Sequence, residues 1–237
     1  MGGNNSADNQ VTYPSLAVII AAYNEEQGIG LTIHEIIEEI SDPHIVVVDG
    51  NSSDKTSKLA KNLGADVITQ KGEGKGSAIL QGLNHINEKF SYVAFIDADY
   101  TYPANYIKKM ILIIKNNPKV GMVLGNRFSP KYEIESDRNQ FYLGNKILAL
   151  IQNVFYNSNL VDPLTGLRVI RFELVNGWKP KSKGFGIEVE LNYFIEQLGF
   201  KIVETPIIYR KRVGKKKLGF KHGFEIFARI VIESLRN

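Results

Sequence analysis

The 237-residue chain has no cysteine. That excludes a disulfide framework and any thiolate-ligated metal site, and it fits a reducing compartment such as the cytoplasm. No run of about 18 apolar residues occurs, so no membrane-spanning helix is expected and any membrane contact would be peripheral. Met1–Gln10 is polar and rich in Gly and Asn, without the basic start and apolar centre of a signal peptide. Residues 1–14 therefore read as a flexible tail. Histidine is scarce. His34, His44, His85 and His222 fall outside the motifs below and read as surface or internally satisfied residues. From Arg210 to Lys221 no residue is acidic and seven of twelve are Lys or Arg, a solvated face or a surface for phosphates, nucleic acid or an anionic membrane.

What remains is an ordinary globular composition, 43% hydrophobic and 23% charged with a net charge of +4, and enough chain for one large domain over 15–237. Leu16–Ala22, Ile45–Asp49 and Tyr92–Ile96 are short apolar runs bounded by turn or acidic residues. They predict strands buried on both faces. A weaker strand is expected at Asp66–Gln70 and another at Val120–Gly125. Helical patterns lie between them: Glu26–Ile40, Ser53 to about Gly64, Lys75–Glu88, and Pro103–Asn116 with Pro103 in its first turn. Later come helices at Tyr142–Tyr156, Ile187–Leu198 and Phe220–Leu235, and strands at Leu167–Phe172 and Lys201–Tyr209. The alternation predicts an α/β domain: a Rossmann-like, mostly parallel sheet flanked by helices, closed by amphipathic C-terminal helices. Ligands in such sheets bind beyond the carboxyl ends of the strands.

The residues at those ends carry the chemistry. Asp97-Ala98-Asp99 holds two carboxylates close together, and a divalent cation with oxygen ligands would relieve their repulsion; a helix cap in a solvated turn is the plain alternative. Tyr23-Asn24-Glu25-Glu26 follows the first run and either edges a nucleoside pocket or complements a helix dipole. Asp49, in Val48-Asp49-Gly50-Asn51-Ser52-Ser53-Asp54, is an acceptor for a ribose or base, whereas Asp54 reads as structural. Gly72-Glu73-Gly74-Lys75-Gly76 lacks the spacing of a P-loop and reads as a turn into a helix, with Lys75 a pocket cation. Arg127, in Gly125-Asn126-Arg127-Phe128, has the planar fork that suits phosphate. Asp162-Pro163-Leu164-Thr165-Gly166-Leu167-Arg168 is a turn rich in polar groups.

In this order the motifs resemble family 2 glycosyltransferases of the GT-A fold. The Asp162–Arg168 turn and the Gly214-Lys-Lys-Lys-Leu218 segment resemble the polyprenyl-phosphate sugar synthases among them, such as dolichyl-phosphate mannose or glucose synthases. The resemblance implies that Ala22, Tyr23, Glu25 and Asp49 hold a nucleoside, with Lys75, Asp97 and Ala98 close to base and ribose. It implies that Asp99, beside Asp97, coordinates Mg2+ or Mn2+ together with the donor diphosphate. Arg127, Arg138, Arg212 and Lys217 would face phosphates. Mannose synthases of this kind often carry Gln two residues after the second Asp as a further metal ligand; here Thr101 stands there. The second strand ends Asp-Gly-Asn-Ser instead of Asp-Asp-x-Ser. Both departures lean towards a UDP-linked hexose such as glucose or N-acetylglucosamine.

The implied reaction moves a hexose from a UDP- or GDP-linked donor to polyprenyl or dolichyl phosphate, with inversion. A phosphate acceptor is already anionic near neutral pH, with a second pKa of about 6, and needs cations more than a base. Asp162 and Glu188 are the fallback bases. The implied partners are the donor, the lipid acceptor and the cytoplasmic face of a membrane. A membrane subunit or a second copy is left open. The rivals are a family 2 transferase with a hydroxyl acceptor, a nucleotidyltransferase, and a basic nucleic-acid module, which would leave the acidic strand ends without a role.

Overall fold

The computed structural model describes residues 15–86, 90–128, 140–215 and 219–236. The first half alternates strand and helix: β1 (Leu16–Ala22), α1 (Ile29–Glu39), β2 (His44–Asp49), α2 (Thr56–Asn62), β3 (Asp66–Thr69), α3 (Lys75–His85), β4 (Tyr92–Phe95), α4 (Tyr106–Asn116) and β5 (Val120–Asn126). The second half adds α5 (Gln140–Tyr156), β6 (Arg168–Arg171), α6 (Phe172–Val175), α7 (Ile187–Gln197), β7 (Lys201–Pro206) and α8 (Phe220–Ser234). The strands form one seven-stranded sheet in the order β3-β2-β1-β4-β6-β5-β7.

All pairings are parallel except those of β6, which runs antiparallel between β4 and β5. Alternate residues of β1 enter two cores: Val18 and Ile20 pack with α1 and α4, while Ala17 and Ile19 pack with α3 and α7. That double burial is why the strand reads as an unbroken apolar run and not as an alternating one. A third cluster joins Val189 of α7 to Ile226 and Ile230 of α8, with Leu148 and Ile151 of α5 against it.

The expected elements are all present, with shifted ends. Pro103 lies ahead of α4, which begins at Tyr106 after a turn through Ala104 and Asn105, so it is not in the first helical turn. β6 stops at Arg171 because Phe172 opens the short α6. The Arg171 guanidinium joins the end of α4 to the start of β5, donating to Ile114 O at 2.7 Å and Val120 O at 2.9 Å. β7 ends at Pro206. The chain then runs back as a strap over the end of β4: Arg210 N donates to Thr101 O at 3.0 Å and Val213 N to Asp99 O at 3.1 Å.

Candidate active site

A cleft of about 1040 Å3 opens at the carboxyl ends of β1, β2, β4 and β5. Ala22, Tyr23, Glu25, Lys75, Asp97, Ala98, Asp99, Arg127 and Arg212 all line it. The sequence spreads them over some 190 positions, and the parallel topology gathers them at one edge.

The first two loops hold each other. Asn24 N donates to Ser52 Oγ at 2.8 Å, Ser53 N to Asn24 Oδ1 at 2.8 Å, and Glu25 N to Thr56 Oγ1 at 2.7 Å. Asp54 accepts from Glu26 N and Thr56 N, the structural role expected of it. Tyr23 lines the cleft and is 53% exposed, a large aromatic where a nucleobase would find a face to stack on. Asp49 differs from the expectation. It is buried at the end of β2 and is not on the cleft wall; Oδ2 accepts Ser52 N–H at 3.2 Å, and Oδ1 is buried without a hydrogen bond.

At the centre, the Asp97–Asp99 segment is pressed against the start of α1. A Cβ on Gly28 would come within 2.6 Å of Ala98 O and 2.8 Å of Asp99 Cα. Tyr100, immediately after, has φ +64, a left-handed conformation that a tyrosine adopts only under local constraint. Its N–H donates to Thr32 Oγ1, and Arg210 stacks on its ring at 4.4 Å.

The two carboxylates have different partners. Lys75 Nζ bridges Asp97 Oδ1 at 2.7 Å and Glu188 Oε1 at 2.9 Å. Burial works against the Lys75 ammonium, but the Asp97 and Glu188 carboxylates overcome it and raise its pKa above the ordinary lysine value. Lys75 is thus a fixed cation. Burial also opposes ionisation of Asp97, yet Lys75 holds its carboxyl below the usual range. Asp99 goes the other way: burial and then the charge of Asp97 push it up, against the pull of Arg212. Asp99 Oδ1 accepts Thr101 Oγ1 at 2.6 Å, and Arg212 of the strap bridges Asp99 Oδ2 to Glu25 Oε1. The Thr101 hydroxyl therefore orients a carboxylate. Arg212, read from the sequence as facing phosphate, lines the cleft with its charge already shared between two acids.

Arg127 makes a side-on, bidentate pair with Asp162, Nε and Nη2 donating at 2.7 Å each, while the Arg127 backbone N–H also donates to Asp162 Oδ2 at 2.9 Å. Asp162 is 1% exposed and does not line the cleft. The fallback role of general base is corrected here: its carboxylate is committed to holding Arg127, whose guanidinium lies between the Phe128 and Tyr209 rings. Arg138 and Lys217 lie outside the described residues.

Two participants were not legible as such, and a third was read in another role. Glu188, named above as a fallback base, stands in the first turn of α7, lines the cleft and completes the Lys75 bridge, and its Oε2 is buried without a hydrogen bond. Arg168 is 1% exposed; it ties the Pro163–Thr165 turn to α7 through Pro163 O, Thr165 O and Asn192 Oδ1. His222, read as an unremarkable histidine, lines the cleft from α8.

The family model for glycosyl transferase family 2 matches residues 17–178, the span that holds both carboxylates and the Asp162–Arg168 turn. The chain belongs to this family. This glycosyltransferase is 33% identical over 213 residues to a dolichyl-phosphate hexose transferase of Haloferax volcanii, covering 88% of this chain and 89% of the relative. It is 27% identical to a dolichol-phosphate mannosyltransferase of Pyrococcus furiosus, over 91% of this chain and 62% of the longer relative. Its fold is similar to that of glucosyl-3-phosphoglycerate synthase from Mycobacterium tuberculosis, solved with Mn2+, UDP-glucose and phosphoglyceric acid. The TM-score is 0.75 at 20% identity, covering 93% of this chain and 80% of that one. The expected GT-A fold is thus met.

Proposed function

We propose that this glycosyltransferase moves a hexose from a nucleotide diphosphate to the phosphate of a polyprenyl lipid. One observation carries the choice of acceptor. Four of the five carboxylates that line the cleft are paired with a cation, Asp97 and Glu188 with Lys75, Asp99 and Glu25 with Arg212, and the fifth, Glu73, is an exposed residue of the loop before α3. A hydroxyl acceptor needs a carboxylate poised to take its proton. A phosphate monoester does not, and the names of the two relatives above support it.

An oxygen of the lipid phosphate attacks the anomeric carbon from the face opposite the diphosphate. The new C–O bond forms as the bond to the diphosphate breaks, with inversion, and nucleoside diphosphate leaves. Tyr23 and Ala22 face the nucleoside, Lys75 fixes Asp97, and Arg127, positioned by Asp162, faces phosphate oxygens. Asp49 supports this surface from beneath the β2 turn.

Asp97 and Asp99 fit a hard divalent cation. They supply oxygen donors, and the upward push on the Asp99 pKa is what such a cation would relieve. Among the described residues no group of three or more His, Asp or Glu forms a cation cage, so the remaining ligands would be diphosphate oxygens and water. Bound there, Mg2+ or Mn2+ would neutralise charge developing on the leaving diphosphate.

The test is a panel of radiolabelled UDP- and GDP-sugars with undecaprenyl phosphate and Mg2+ or Mn2+. Label should enter the lipid phosphate with one donor, and EDTA should abolish transfer. Transfer to a polysaccharide hydroxyl but not to the lipid phosphate would sink the reading.

A further inference from the structure

We infer that His222 donates a hydrogen bond to the phosphate of the acceptor, making it a binding residue that no sequence motif announces. The inference rests on the reading of the acceptor as a polyprenyl phosphate. His222 stands in the first turn of α8 and lines the cleft. Gly219 N–H donates to its Nδ1 at 2.9 Å, the shorter of two contacts at that nitrogen, the other being Gly219 O at 3.2 Å. A neutral imidazole that accepts at Nδ1 carries its proton on Nε2, so one N–H remains to be used by a ligand. The ring is held edge-on to Phe185, with centroids 4.7 Å apart.

The company His222 keeps separates it from the nucleotide. Phe185 touches its ring, and Phe185 and Leu164 pack against the apolar cluster of Ile226, one turn further along α8, all three lining the cleft with it. Tyr23, Gly50 and Asn51 belong instead to the loops after β1 and β2. The chain reaches His222 through the basic run from Arg210 to Lys221. One oriented N–H donor on an apolar, aromatic wall at the end of a cationic segment suits an amphiphile with an anionic head. The one aromatic part of a sugar nucleotide, its base, is assigned to the Tyr23 loop, and its sugar and diphosphate are too polar to cover that wall.

Two amides separate a ligand role from a capping role. Asn places its amide near the Nδ1 position and keeps the contact with Gly219; Gln reaches the Nε2 position and loses it. His222→Asn and His222→Gln are assayed with undecaprenyl phosphate and the donor that scores in the panel, the KM of each substrate is measured separately, and folding is followed by thermal melting. His222→Asn should melt like wild type yet raise the KM for undecaprenyl phosphate about tenfold, the scale of one hydrogen bond to a charged group, with donor KM unchanged. His222→Gln should recover most of that loss. The reverse pattern, rescue by Asn and failure of Gln, would assign His222 to capping α8 and overturn the inference, as would a rise confined to the donor KM. A wild-type enzyme inert towards undecaprenyl phosphate would instead remove the acceptor reading, and this inference with it, before any variant is compared.

Discussion

At the scale of single residues, the Arg127–Asp162 pair decides how the phosphate-facing role is to be tested. Removing Arg127 strands a carboxylate that is 1% exposed, and breaking a buried pair from one side costs about 3–5 kcal/mol. Arg127→Ala would therefore lose activity through misfolding as readily as through lost phosphate contact. Arg127→Lys keeps the charge and gives up the planar fork. It is expected to remain folded in urea denaturation, at a cost of about 1–3 kcal/mol for the imperfectly satisfied carboxylate, with transfer reduced at least tenfold. The double variant Arg127→Met with Asp162→Leu should recover stability over Arg127→Ala but recover no transfer. Full activity in that double variant would confine Arg127 to a structural role.

At the scale of elements, the placement of Asp97–Asp99 depends on how closely α1 approaches it. Gly28 and Gly30, two residues apart, make the contrast. A Cβ at Gly28 would overlap the backbone of Ala98 and Asp99, and backbone cannot swing aside; a Cβ at Gly30 meets only Leu63 Cδ1 at 3.9 Å. Gly28→Ala should lower stability by about 1–3 kcal/mol and transfer by tenfold or more. Gly30→Ala lies within α1 and should raise stability by about 0.5–1 kcal/mol with unchanged transfer. Equal effects of the two substitutions would show that α1 does not seat the carboxylates. The sequence could not reveal this contact, although it announced both partners. Strand runs such as Leu16–Ala22 are legible because double burial leaves a continuous apolar signature. The antiparallel sense of β6 is not, because Arg168–Arg171 would have the same composition in either direction. The bridge from Lys75 to Glu188 joins residues 113 positions apart on α3 and α7. Such pairings come from packing: Ser77 N, in α3, donates to Lys183 O, and Glu190 Oε1 and Oε2 in turn accept from Lys181 N and Ser182 N at 2.7 Å each.

At the scale of the whole molecule, the proposed acceptor requires the enzyme to meet a lipid, and no described helix is long and apolar enough to cross a membrane. The outer faces of α5 and α8 supply another route. Leu143, Ile147, Leu150 and Val154 recur along α5 at helical spacing and are all exposed, Val154 at 74%, while α8, packed against α5, exposes Phe224 at 78% and Ile232. Neither helix is therefore wholly consumed by the core, the plainer fate for an amphipathic helix, since their inward residues Ala149 and Ile230 are buried in the same structure. Large exposed apolar side chains in a row, with the basic run from Arg210 to Lys221 leading into α8, match an interfacial surface for anionic lipid. Paired substitution Leu150→Asp and Val154→Asp places charge on that face without touching the cleft. The protein should then float with anionic vesicles at least tenfold less well, since each buried apolar side chain contributes about 1.5–3 kcal/mol, while its melting temperature stays within a few degrees of wild type. Transfer to undecaprenyl phosphate in vesicles should fall in parallel, and transfer to farnesyl phosphate in detergent should not. Flotation equal to wild type would reject α5 as the docking face, and an equal loss on both acceptors would move the defect from docking into the cleft.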